Sequence, residues 1–369
     1  MTISMRSVSM LVAVALVVSQ ARAADLAKGL TEKGPADLKS AGPLAFGPAG
    51  ILFVGDPLGG AVFALDTAER PVESARGPLE VKQLGDKVAA LLGTTSDQIQ
   101  VNDLAVNPES AMVYLSVARN PGPKASPVIV RIDHTGELSE LALDDIKHAR
   151  TELPNLPGPE QRDQRGQSQR MESITDLAYV DGRVFVAGLS NEEFASKLRS
   201  IPFPFTKADS GTSVEIYHGA HGQFETRSPV RTFVPYAIAG EPYLLAAYTC
   251  TPLVKFPVAE LSPGSKLRGT TVAELGNRNR PLDMIVYEKD GKNYLLLANS
   301  SRGVMKIDTD KVETDEGIEQ RIEDKAGLSY ETIEGLKNVH QLDRLDDENA
   351  LVLVQTEGGS LSLQTVPLP

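Results

Sequence analysis

Three aspartates stand at the start of similar apolar stretches: Asp103 in "NDLAV", Asp176 in "TDLAYV" and Asp283 in "PLDMIV". Carboxylates gathered from distant parts of a chain supply hard oxygen donors, and calcium is the cofactor such a set would hold. Asn102 and Asn279 add amide oxygens nearby in sequence. An acid at a repeated position serves equally well as an acceptor for backbone N–H groups. Both readings stay open at this level.

A second group is basic. Arg278 and Arg280 lie in "ELGNRNRPLD", residues 274–283, and Arg302 follows in "NSSRGV". The planar guanidinium fork matches carboxylates, phosphates and sugar acids. The same side chains would also neutralise Glu274 and Asp283 in an ion-pair network. Cys250, the only cysteine, sits in "YLLAAYTCTPLVKF", residues 243–256. One cysteine excludes an internal disulfide, and a nucleophilic thiol needs a neighbouring base. A small buried side chain is the simpler role.

"EIYHGAHGQFE", residues 215–225, is an H-x-x-H pattern between Glu215 and Glu225. Its residue types suit zinc. Gly219 and Gly222 make it a turn between outer strands, and exposed turn histidines are the expectation. No G-x-S-x-G, Walker A or G-x-G-x-x-G pattern stands in a supporting context.

The N-terminus reads as a secretory leader. Arg6 precedes an apolar run over 8–18, and Ala21-Arg22-Ala23 offers a cleavage pattern. Export to a periplasm or beyond is expected, with 1–23 removed and 24–369 forming one domain. No later apolar run approaches the length of a membrane span, about 18 residues. The whole chain carries a net charge of −12. Loss of Arg6 and Arg22 leaves 35 basic against 49 acidic side chains, net −14. That charge argues against nucleic acid and anionic membranes as partners.

These residues need elements to position them. "NDLAVNPESAMVYLSV" (102–117), "TDLAYVDGRVFVAG" (175–188) and "PLDMIVYEKDGKNYLLLAN" (281–299) each read strand, polar turn, strand. A third strand follows each: "PVIVRID", "SVEIYH" and "GVMKID". Similar units occupy 42–66 and 339–366, and "YLLAAYTCTPLVKFPV" aligns with "YLLLANSSRGVMKID". About six units of roughly 55 residues predict an all-β, single β-propeller of six blades with about four antiparallel strands each. Helix is expected only at 86–93 and 191–200. Two long excursions, 144–171 and 189–212, interrupt the units. The first reads as mobile polar chain, and "IPFPF" (201–205) in the second as a cap on the tunnel, a contact for a partner, or side chains buried beneath the lid.

The unit "LAFGPAGILFVGDPLGGAVFALD" resembles repeats of the NHL, YVTN and gluconolactonase-like propellers. The resemblance implies that the first strand of each unit lines a central tunnel. It also implies that ligands meet the face carrying the loops that enter those strands. Asp103, Asp176, Asp283, Arg278, Arg280, Arg302, Tyr248 and His340 would then gather there, His340 occupying the aspartate position of the last unit. Two functions follow. One is an exported binding propeller for a small anionic molecule or an extracytoplasmic protein. The other is a calcium-dependent hydrolase of the lactonase type, although "SAGPLAFG" lacks the acid such enzymes place at the first inner strand. A quinone-cofactor propeller ranks third, because the chain has no tryptophan to stack on the cofactor.

Overall fold

The structure, a computed structural model, describes residues 29–369 except 70, 72–76, 123, 124 and 251. The leader assigned to 1–23 lies outside them. No helix among the described residues is long and apolar enough to cross a membrane.

Six sheets form the blades of a propeller. Their innermost strands are Leu44–Phe46 (blade 1), Ile99–Val106 (blade 2), Asp176–Val180 (blade 3), Val230–Ile238 (blade 4), Pro281–Lys289 (blade 5) and Val339–Arg344 (blade 6). Each pairs antiparallel with the next strand in sequence. Strands inside a blade are buried on both faces, so alternate residues serve two different seams. In Glu241–Tyr248, Leu244, Ala246 and Tyr248 pack toward blade 3, while Leu245 and Ala247 pack toward blade 5. Each of the six seams holds one apolar cluster. Burial of these side chains drives assembly of the ring.

The order around the ring is not the order along the chain. Blade 1 lies between blades 2 and 3, and blade 2 lies between blades 1 and 6. After Ala61–Asp66 the chain adds Glu80–Val81 to the outside of blade 6, against Leu361–Pro367. It then builds blade 2 and returns as Ile146–Glu152 to the outside of blade 1, against Ala61–Asp66. Two exchanged strands therefore interlock the ends of the ring. Helix Leu84–Leu91 wedges Leu84 and Val88 into the seam between blades 2 and 6.

Four expectations change. Residues 146–152 of the first excursion are an outer strand, because their side chains Ile146, His148 and Ala149 find burial beside blade 1. Residues 191–200 are not helical: Ser196–Pro202 is the third strand of blade 3, paired over its whole length with Arg183–Leu189. "SVEIYH" is consequently the fourth strand. "IPFPF" is buried, but in a seam and not under a lid: Ile201 and Phe203 lie between blades 1 and 3, with Phe203 edge-on to Phe53 at 5.1 Å.

Candidate functional site

The bulge register of the inner strands decides what faces the tunnel. Asn102, Arg231, Leu282 and His340 each occupy a bulge, so Asp103, Thr232, Asp283 and Gln341 are equivalent. Gln341, not His340, thus takes the aspartate position in blade 6. A bulge re-aims the following side chain, here into the tunnel wall.

The aspartates form a girdle. Asp103 accepts from Leu104 N at 2.8 Å with Oδ1 and from Leu44 N of blade 1 at 2.7 Å with Oδ2. Asp176 does the same with Leu177 N and Phe233 N of blade 4, both at 2.7 Å. Asp283 takes Met284 N at 2.8 Å and Leu342 N of blade 6 at 2.9 Å. Asp343, which repeat alignment overlooks, takes Arg344 N and Val106 N of blade 2, both at 2.7 Å. Each carboxylate is half-buried and joins its own blade to a neighbour.

Burial pushes all four carboxyls up. Asp176 rises to about 7 and Asp343 to about 6. Asp103 and Asp283 are raised well above the ordinary carboxylate range, first by burial and then by the other aspartates of the girdle. Both oxygens of every carboxylate already accept an N–H group. Their ligand atoms do not form a set of three within 4.8 Å; among the described residues that property belongs to His218, His221 and Glu225.

The girdle separates two funnels. Asp103, Asp176 and Asp283 line both. The funnel at the strand entrances has a volume of about 320 Å³. Around its rim stand Gln100, Asn102, Glu172, Arg231, Arg280 and Gln341. Arg231 is ion-paired with Glu172, and its Nε donates to Thr249 Oγ1 at 3.1 Å. Burial lowers its pKa, and the Arg280 charge lowers it further. Arg280 is exposed, and among the described residues its guanidinium makes no hydrogen bond or ion pair; its backbone N–H donates to Ser300 Oγ at 2.9 Å.

The other expected residues divide. Arg302 and His340 line an adjoining groove of about 900 Å³ with Ser300, Ser301 and Lys337. Leu282 borders both spaces, so groove and funnel meet there. Arg302 is held by Asn277 O at 3.1 Å and lies 3.8 Å from Asp324 Oδ1. Arg278 is exposed at a positive φ of 58°. Neither Glu274 nor Asp283 pairs with these arginines; Glu274 Oε1 accepts from Gly219 N instead. Asn279 is buried and braces the 276–280 loop through Gly276 O at 2.6 Å and Asn299 at 2.9 Å. Tyr248 is 1% exposed in the seam between blades 3 and 4 and does not reach the funnel. Cys250 is half-buried in the loop after Tyr248, with its N–H on Asn279 O at 2.9 Å.

Arg231, Glu172 and Asp343 join the site beyond the residues that the repeat pattern marks. The signal for Arg231 was available in the alignment of "VRTFV" with "VNDLAV", which puts Arg231 at the bulge of Asn102. Glu172 had no such signal, because a long connection delivers it.

No family model matches the chain, and no curated protein matches it. Solved structures resemble it in fold. A protein named as an oxidoreductase (glucose dehydrogenase) from Thermus thermophilus is 16% identical, with TM-score 0.36, over 91% of this chain and 99% of that one. The PQQ-bound aldose sugar dehydrogenase of Streptomyces coelicolor is 11% identical, with TM-score 0.35, over 91% and 96%. The plexin A4 extracellular region is 11% identical, with TM-score 0.40, over 92% of this chain and 47% of that one.

Proposed function

We propose that this propeller binds a small anion, a compound carrying a carboxylate or phosphate, in the funnel at the strand entrances. The observation behind this reading is Arg280. It is an exposed guanidinium without a partner among the described residues, on the rim of a polar funnel beside a second guanidinium, Arg231. Arg231 is paired with Glu172, which leaves the Arg280 guanidinium as the cation open to an anion. Arg280 supplies the free fork, and Arg231 a charge fixed by Glu172 and Thr249. Gln100, Asn102 and Gln341 offer neutral donors and acceptors for the rest of the ligand. The volume suits a small molecule rather than a polymer. The leader-like N-terminus supports placing this binding outside the cytoplasm.

Binding is a better reading than calcium-dependent hydrolysis. The girdle carboxylates are engaged by backbone N–H groups, and His340 lies in the adjoining groove rather than in the funnel. Calorimetric titration with phosphate, citrate and a sugar acid tests the proposal. Binding of at least one, weakened about tenfold or more in Arg280→Ala, is expected for loss of a charged hydrogen bond. Equal affinity in wild type and Arg280→Ala, or no binding of any of the three, would sink it.

A further inference from the structure

The turn at the outer edge of blade 3 brings two imidazoles and a carboxylate together. His218 ends strand Thr212–His218, and Glu225 ends the returning strand Gln223–Glu225. His221 lies in the turn between them. His218 Nδ1 is 3.1 Å from Glu225 Oε2, and His221 Nδ1 is 2.5 Å from Glu225 Oε1. The two rings stand 3.9 Å apart, centre to centre, inclined by 37°. One ligand atom from each residue lies within 4.8 Å of the other two.

Burial distinguishes this cluster from a surface turn. His218 is 2% exposed; its Nδ1 faces Glu225 Oε2 at 3.1 Å, while its Nε2 has no hydrogen-bond or ion-pair partner. Glu274 of blade 4 is 1% exposed and packs against Gly219. Its Oε1 accepts from Gly219 N at 2.5 Å, while Oε2 is buried without a hydrogen-bond partner. Buried polar atoms left unpaired are costly. A cation held by this cluster would occupy the open imidazole nitrogen, and its charge would offset the buried Glu274 carboxylate, which interacts electrostatically with both histidines.

We propose that His218, His221 and Glu225 bind a divalent transition-metal ion, zinc above all, with the Glu274 carboxylate of the neighbouring blade adding negative charge beside the two imidazoles. Imidazole nitrogens with carboxylate oxygens favour zinc and its neighbours in the first transition row over calcium or magnesium. The ion would sit in the outer hairpin of blade 3 beside blade 4, far from the funnel. The expectation of exposed turn histidines holds for His221, whose side chain is 49% exposed, and fails for His218, which is buried.

The test uses untagged full-length protein stripped with a chelator. Zinc is titrated against a chromophoric chelator, and cobalt(II) replaces it for visible absorption. One zinc per chain is expected, with a dissociation constant on the order of micromolar or tighter. Cobalt should give the visible bands of a four- or five-coordinate site. His221→Ala, which removes an exposed side chain and spares the fold, should weaken zinc about 100-fold and abolish the cobalt bands. Glu274→Gln should weaken zinc about tenfold. Absence of stoichiometric binding, or equal affinity in wild type and His221→Ala, overturns the proposal.

Discussion

Asp343 Oδ2 accepts the backbone N–H of Val106 at 2.7 Å, across 237 residues of sequence. The bond joins blade 6 to blade 2, which the chain completes long before it reaches the inner strand of blade 6, Val339–Arg344. Comparable bonds from Asp103, Asp176 and Asp283 join three other pairs of adjacent blades. These carboxyl acceptors lie where the seams converge on the tunnel.

Asp343→Ala leaves Val106 N without its carboxylate and removes the bond closing that seam. A loss of about 1–3 kcal/mol is expected. Equilibrium denaturation measures it, and unchanged stability would show that tunnel water replaces the carboxylate without cost.

The girdle also makes a pH prediction. Asp176 and Asp343 have pKa values of about 7 and about 6 in the fold, against 3.8 ordinarily. The folded state therefore holds these protons more tightly than the unfolded state. Their contribution to stability is greatest below about pH 4, declines as pH rises through the interval, and levels off above about 7. Asp176 should account for a decline on the order of 1–2 kcal/mol, tunnel water moderating the effect. Thermal midpoints between pH 4 and 8 should fall less steeply in Asp176→Asn than in wild type; parallel curves would refute the assignment.

Arg231→Met removes the partner of Glu172 at the funnel rim. An acid left unpaired there should release the connection that delivers it. Amide exchange is expected to accelerate over 153–173 while the strands of blades 4 and 5 keep their protection. Anion affinity should drop alongside that of Arg280→Ala. Unaltered exchange in the connection would mean that Arg170, which donates to Pro57 O at 3.0 Å and Pro157 O at 3.1 Å, suffices to hold it.

Gly188 is required by close approach. A Cβ there would stand 2.1 Å from Ser173 O and 2.4 Å from Ser173 C. Gly188→Ala must displace backbone next to Glu172, so a loss of about 1–3 kcal/mol and weakened anion binding are expected together. A melting point equal to wild type would contradict the packing at this seam.

Strand-turn-strand units, their number and the antiparallel class were legible in the sequence. Alternating apolar residues and turn-forming Gly, Asp, Asn and Pro act over a few residues, and each unit displays them independently. "YLLAAYTCTPLVKF" matched "YLLLANSSRGVMKID" because the two hairpins meet the same local demands, and their pairings agree: Ala247 faces Leu253, and Ala298 faces Val304. The recurring aspartates were visible for the same reason.

What those aspartates do was decided only by the tertiary structure. The N–H groups they hold across the seams lie on other blades, and the blade order places unit 2 beside unit 6 rather than unit 3. Segment 196–202 shows the same limit. Its Lys197 and Arg199 suggest an exposed helix, yet both are buried in a strand. There Lys197 meets Glu192 at 2.5 Å and Ser213 at 2.8 Å. Local pattern sets which residues form strands. Closure of the ring, through contacts between residues far apart in sequence, sets which carboxylates become clips, which arginine stays free and which histidine is buried.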